Sequence, residues 1–400
     1  MTTVVSWALF DLANTFFAVA MLTFHFPLWV VEDRGGSELM FSIALGASMV
    51  CVGLLMPLCG AVSDASGQRM RYLRWTTYGC VVTTFLMGFI SNLWLALVLF
   101  GLANICYQLG TVFYDALLWR VAPPGRVGVI SGFGAAFGYL GSMAGLLFLW
   151  PFARMGGHQA TFAPSAVFFL LFALPCFLTI KDADERRQVQ WGVVLRAAAL
   201  RLAMTVRHAR QLSSLWRYLW ASFFSANAIN TILVFMAVYT KKVMGFNETQ
   251  IIQFFVVSQA FAVAGAFLWT RLIPRWGSQR ILLAIWSGWI LALAAVTASP
   301  SLRWFWVIGP VVGFCLGATW ATARVLLIEL SPKEQIAEMV GLAGLVSRFS
   351  SILGPIAWGL LVSDPRHYRH ATGLMMVLLV IGVWLLWKVP NPDFQARRQA

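Results

Sequence analysis

Apolar runs of roughly the length needed to cross a bilayer, about 20 residues, follow one another along this chain and are separated by short polar breaks. They lie at 7–30, 39–63, 74–91, 94–119, 128–150 and 163–180, and after a polar interval at 217–241, 249–270, 281–299, 304–328, 338–362 and 371–388. The pattern predicts an all-α membrane protein with twelve transmembrane helices in two six-helix bundles. The expected domains are an N-terminal bundle at 1–180, a cytoplasmic linker with an amphipathic helix at 181–216, and a C-terminal bundle with a short cytoplasmic tail at 217–400.

The two sets of runs are related. Shifted by 209 residues, Asp115 falls on Arg324, Pro123 on Pro332, Gly132 on Gly341 and Gly145 on Gly354. Trp7, Ala8 and Asn14 recur as Trp220, Ala221 and Asn227 at an offset of 213. Such a repeat in a hydrophobic chain predicts a parallel duplication, with pseudo-symmetric halves that rock about a central site.

Composition narrows the class. At 60% hydrophobic and 11% charged residues, the chain has more apolar surface than a soluble core could take in. The net charge of +14 is first a topology signal. Of 29 Lys and Arg, twenty fall on one side of the alternating spans and seven on the other, with Arg324 and Arg348 inside helices. This puts both termini and the linker in the cytoplasm of a multi-pass inner-membrane protein, and no nucleic-acid partner is expected. All six cysteines lie within spans and read as packing residues. The first run carries Asp11 and Asn14 with no basic residue before it, so it reads as a retained helix rather than a signal peptide.

Polar residues inside the spans mark candidate chemistry, because unpartnered polar groups are costly in lipid. Asp11, Asn14 and His25 share about one face of the first helix; the alternative for Asp11 is a solvated interfacial position. Asn104, Gln108, Thr111 and Asp115 form one stripe on the fourth helix. Asn227 and Asn230 share a face of the seventh, where they line a cavity or bond to a neighbouring helix. Arg348 stands near mid-span in the eleventh helix, a place where an arginine costs about 2.5–3.5 kcal/mol on insertion scales. Asp115 and Arg324 occupy matching places and form either a latch across the halves or local pairs within each. Glycines from Gly132 to Gly145 allow backbone-to-backbone packing or a sliding contact. Trp191 to Arg210 reads as a basic helix on an anionic inner leaflet.

After the second helix, Gly60, Asp64, Gly67, Arg69 and Arg71 resemble the loop signature of the major facilitator superfamily, with Gln68 in place of a basic residue. With Trp7 to Asn14, Tyr114 to Pro123, Arg126, Ser131 to Gly134 and Gly138 to Gly141, the chain resembles the bacterial branch related to autophagy-linked vacuolar amino-acid effluxers. The resemblance implies the major facilitator fold, alternating access, and export of an amino-acid-like or anionic solute. The expected function is therefore a monomeric secondary transporter, with protons as a candidate coupling ion. Two alternatives stand beside it: a non-transporting scaffold on the same fold, and a metal or metal-chelate carrier using Asp11, His25 and Asp115. Asp11, Asn14, His25, Asn104, Gln108, Asp115, Asn227, Asn230 and Arg348 are the substrate or coupling candidates. Asp64, Gly67, Arg69, Asp115 and Arg324 are the candidates for a cytoplasmic gate. No phosphate loop, zinc spacing or nucleophile elbow is present in the sequence, so no enzyme activity, cofactor or resident metal is expected.

Overall fold

The computed structural model describes residues 3–122, 127–182, 191–298, 302–332, 335–362 and 367–390. Helices account for almost all of it. The chain divides into two compact units, Met1–Leu200 and Arg201–Ala400.

In unit 1, α1 (Thr3–Phe17) continues through two wide π-helical stretches, Ala18–Phe24 and Trp29–Asp33, on either side of the short α2 (His25–Leu28). Then come α3 (Glu38–Ser66), α4 (Arg69–Met87), α5 (Leu93–Val121), α6 (Val127–Gly156) and α7 (Phe162–Thr179). Next is α8 (Trp191–Gln211), on the basic stretch between the two sets of spans. Unit 2 holds α9 (Ser213–Lys242), α10 (Glu248–Trp276), α11 (Ser278–Ala298), α12 (Leu302–Leu330), α13 (Ile336–Leu361) and α14 (Tyr368–Trp387).

The duplication is visible in these boundaries. α5 and α12 are both 29 residues long and are offset by 209 at each end; α3 and α10, also 29 residues each, are offset by 210. Both α3 and α10 start on a side-chain cap, Ser37 and Asn247, which accept from the backbone N–H of Met40 and Gln250. Such caps satisfy donors that a helix start leaves free. Both end at a glycine with positive φ, Gly67 at 69° and Gly277 at 81°, which only glycine adopts without strain.

Among the described residues, eleven helices are long and apolar enough to cross a membrane. α4 is the span that falls short. It begins at residue 69 rather than 74, so Arg69, Arg71 and Arg74 are part of the helix and its apolar stretch is shorter than the sequence pattern predicts.

In unit 1, α1 packs on α6 and α7, while α5 packs on α3 and α4; in unit 2, α9 packs on α13 and α14, and α12 on α10 and α11. Glycine makes the closest of these contacts. A Cβ on Gly141 would strike the Leu12 carbonyl, and one on Gly354 would meet the Asn227 carbonyl at 2.6 Å. Along α10 and α12, a Cβ on Gly265, Gly313 or Gly317 would strike the carbonyls of Phe314, Ser258 and Ala262. All six cysteines are free thiols: Cys80, Cys176 and Cys315 are buried as packing residues, Cys59 and Cys106 are half-buried, and Cys51 is exposed.

Replacing Gly317 with valine is expected to force α10 and α12 apart, at a cost of about 1–3 kcal/mol for overpacking, and to lower the thermal midpoint of the purified protein. Gly341→Ala is expected to be tolerated, because nothing lies within 4 Å of the added Cβ. Equal midpoints for the two variants would contradict the packing described above.

Candidate functional site

The first helix carries Asp11 into the α1–α6 contact because α6 offers glycine there. A Cβ at Gly138 would come within 3.2 Å of Asp11 Oδ2 and 3.3 Å of Thr15 Cγ2. Thr15 fastens the same point by donating from Oγ1 to the Gly138 carbonyl at 2.7 Å. Asp115, near the end of α5, is an electrostatic neighbour of Asp11, and Tyr114 feels both carboxylates.

Trp7 and Tyr114 set this geometry. Their rings stack with centroids 4.7 Å apart and planes 7° apart. Trp7 Nε1 donates to the Tyr114 carbonyl at 3.4 Å, and Tyr114 Oη donates back to the Trp7 carbonyl at 3.2 Å. Two buried aromatic polar groups therefore satisfy one another and hold the start of α1 against the end of α5. Unit 2 keeps the acceptor: Ala323 stands 209 residues after Tyr114, and its carbonyl accepts from Tyr218 Oη at 2.6 Å.

The polar stripe of α5 does not face one environment. Asn104 is fully buried and donates to Ser48 Oγ on α3 at 2.7 Å. Gln108 is buried, Thr111 donates to the carbonyl of Gln108 at 2.7 Å, and Asp115 is exposed. Asn14 is buried on α1.

In unit 2, Asn227 is used to hold helices together. Its Oδ1 accepts from the Gly354 N–H at 2.9 Å, and its Nδ2 donates to the Phe223 carbonyl at 3.0 Å. Asn230 Nδ2 donates to Ser351 Oγ at 2.9 Å. Both asparagines thus bond to α13. Arg348 is half-buried on α13 and Arg324 is exposed on α12.

His25 opens α2, beyond the π-helical stretch Ala18–Phe24 that separates it from the helix bearing Asp11. It packs against His158, with the two Nδ1 atoms 3.1 Å apart and both side chains buried. Asp33 fixes the partner, Oδ2 accepting from the His158 N–H at 3.1 Å. Asp11, His25 and Asp115 thus do not converge as a ligand set. No group of three or more His, Cys, Asp or Glu suited to a metal lies among the described residues.

At the basic end of unit 1, the turn at Gly67 leads into a brace. Arg69 Nη1 donates to the Ala116 carbonyl at 3.1 Å, and Arg74 donates to the Phe177 carbonyl. The side chain of Asp64 lies outside the described residues. Asp182 caps α4 instead, accepting from the N–H of Met70 at 2.6 Å and of Arg71 at 3.0 Å. A carboxylate suits a helix start, where free N–H groups and the helix dipole meet it. Sequence reasoning missed Asp182 and His158. The signal for Asp182 was an acid just past the end of α7 together with an α4 whose first turn has no acid of its own.

The family described as vacuole effluxer Atg22-like matches residues 125–399. The MFS-type transporter YxiO of Bacillus subtilis is 26% identical over 409 residues, covering 96% of this chain and 94% of its own. Autophagy-related protein 22 of Kluyveromyces lactis is 23% identical over 286 residues, covering 64% of this chain and 57% of its own. A crystal structure of a mutant of the nucleoside transporter NupG matches with a TM-score of 0.76 at 11% identity, covering 96% of this chain and 98% of that one. At that identity the likeness is one of fold, the major facilitator arrangement of two helical bundles.

Asp182→Ala is expected to uncap α4 and to destabilise the protein by about 1–3 kcal/mol, the range for hydrogen bonds to a charged acceptor. Hydrogen exchange at the amides of Met70 and Arg71 checks this, and exchange as slow as in the parent would exclude the cap.

Proposed function

The chain belongs to the Atg22-like vacuole effluxer family and is a membrane transporter of the major facilitator type, and from that premise we propose that it is a secondary carrier exporting a small polar solute, amino-acid-like or anionic, by alternating access. The observation that carries this reading is the placement of Asp11. An acid on the first spanning helix, set over Gly138 with Asp115 as its electrostatic neighbour, is a costly feature of a membrane segment. Such groups serve in ion and proton pathways.

In this reading Asp11 binds and releases the coupling proton. Arg348, half-buried on α13, draws the negative group of the solute, as a guanidinium does by presenting several donors to a carboxylate or phosphate. The brace of Arg69, Arg74 and Asp182 holds α4, α5 and α7 as one body, so a conformational change would move them together. The basic end lies in the cytoplasm by the positive-inside rule, and α8 rests on the anionic inner leaflet.

Proteoliposomes test the reading. Asp11→Asn is expected to keep solute exchange within a few-fold of the parent while losing accumulation driven by a proton gradient. Arg348→Ala is expected to raise the half-saturating concentration of an anionic or zwitterionic solute at least tenfold, the loss of about 1.4 kcal/mol. A parent protein that moves none of a panel of amino acids, peptides and organic anions, while a membrane partner copurifies with it, would favour the scaffold role.

A further inference from the structure

Three cations of unit 2 stand together where α9 begins and α14 ends. Arg217 Nη1 donates to the Lys388 carbonyl at 3.3 Å. Lys388 Nζ lies 3.4 Å from the ring centroid of Trp384, and the Arg210 guanidinium lies 5.3 Å from that of Trp216, the residue before Arg217. The backbone beneath them is held. Gln279 of α11 donates from Nε2 to the Leu386 carbonyl at 3.0 Å and to the Val389 carbonyl, so the end of α14 is tied to α11 and, through Arg217, to α9.

All three cations are exposed, and among the described residues none has a carboxylate partner. The described carboxylates of unit 2 are used elsewhere. Glu248 pairs with Lys241 at 3.6 Å at the other end of α9, Glu329 accepts from Ser278 Oγ, and Glu338 accepts from Thr205 Oγ1 at 3.4 Å. A cluster of uncompensated positive charge is left at this edge.

The two helices carry the same groups in the same order. On α9, Arg217 lies near the start and Trp220 three residues deeper; on α14, Lys388 follows the last residue and Trp384 lies four residues deeper. Spacings of three and four put each pair on one helix face. The helices touch at this depth, since a Cβ on Gly382 would strike Ser225 Oγ and meet the Ala221 carbonyl at 3.0 Å. Trp220 and Trp384, 43% and 51% exposed, therefore stand at like depth in the two spans, each beneath a cation. Tryptophan so placed sits at the headgroup level of a bilayer.

We propose that this edge of unit 2 binds the headgroup of an anionic phospholipid of the inner leaflet. The phosphodiester accepts from Arg217, which uses one Nη on the Lys388 carbonyl and keeps further N–H groups. It also accepts from the Lys388 ammonium, whose seat on an indole face leaves its donors for an oxygen. Arg210 over Trp216 adds a third positive charge, and the first methylenes of the acyl chains lie against Trp220 and Trp384. A zwitterionic headgroup would bring its own cation among three others, and a soluble anion has no apolar part to meet the indoles. This is a discrete site on α9 and α14, beyond the general attraction of α8 to the leaflet, and it does not depend on the transport reading.

The test titrates the full-length protein in detergent with phosphatidylglycerol, phosphatidylcholine or inorganic phosphate, read by native mass spectrometry and by the thermal midpoint, which rises when a ligand binds the folded state alone. Phosphatidylglycerol is expected to bind saturably and to raise the midpoint, while phosphatidylcholine and phosphate at the same concentrations do not. Arg217→Gln combined with Lys388→Gln is expected to weaken phosphatidylglycerol by about tenfold or more, from the loss of two basic side chains at the membrane surface. Arg71→Gln combined with Arg120→Gln removes two exposed charges from the same side of unit 1, and is expected to leave the affinity within about twofold of the parent, as for distant, independent sites. Lys388→Gln alone changes one exposed side chain, serves should the double variant fail to fold, and is expected to cost about fivefold. Equal binding of the two lipids, a midpoint raised by phosphate alone, no saturable binding by the parent, or equal losses in the unit 1 and unit 2 variants would overturn the proposal.

Discussion

Close approach of helix backbones through glycine is the constraint on which the rest of this structure depends. In a membrane, apolar side chains gain little by leaving lipid for one another, so helices associate through close packing and interhelical hydrogen bonds. Here α1 meets α6 at Gly134, Gly138, Gly141 and Gly145, and α10 meets α12 at Gly265, Gly309, Gly313 and Gly317. One interface is solved in two ways. In unit 1, Asn104 reaches across to Ser48 with a hydrogen bond; in unit 2 the matching Gly313 lets the backbone press on Ser258. Side-chain bonding and backbone contact are alternatives at the same place, and the duplicated chain uses both.

The position of Asp11 is a consequence of that constraint. A larger residue at 138 would occupy the space that the carboxylate faces, and the hydroxyl of Thr15 would lose its carbonyl. The Trp7–Tyr114 pair then fixes α1 from the α5 side. The backbone around Asp11 is thus set by a close glycine contact with one helix and an aromatic stack on another.

Much of this was legible in the sequence. The 209-residue offset read from four matched positions reappears in the ends of α5 and α12, because apolar length and glycine placement are local properties of the chain. The turn at Gly67 was legible for the same reason. The gaps have a common cause: they involve partners distant in sequence. Nothing near His25 announces His158, 133 residues away. The cap on α4 comes from Asp182, more than a hundred residues on, although Asp64 was the nearer acid in the signature loop. Asn227 and Asn230 looked equally suited to a cavity or to a neighbouring helix, and only packing tells which carbonyl or amide each one meets. The start of α4 was misplaced because hydropathy sees Arg69 and Arg71 as a break, whereas a helix can begin among charges that face the polar end of a span.

Divergence between the copies says more about function than their likeness does. Devices that hold the fold recur in both: the capped starts of α3 and α10, the glycine turns at 67 and 277, and the aromatic donor to the carbonyl of residue 114 or 323. These are demands of packing, equal for two bundles of one design. What differs is the chemistry at one matched pair of positions. Unit 1 sets a carboxylate, Asp115, where unit 2 sets an arginine, Arg324, both of them exposed. A duplicated scaffold under packing constraints alone has no reason to exchange an acid for a base at a repeat position.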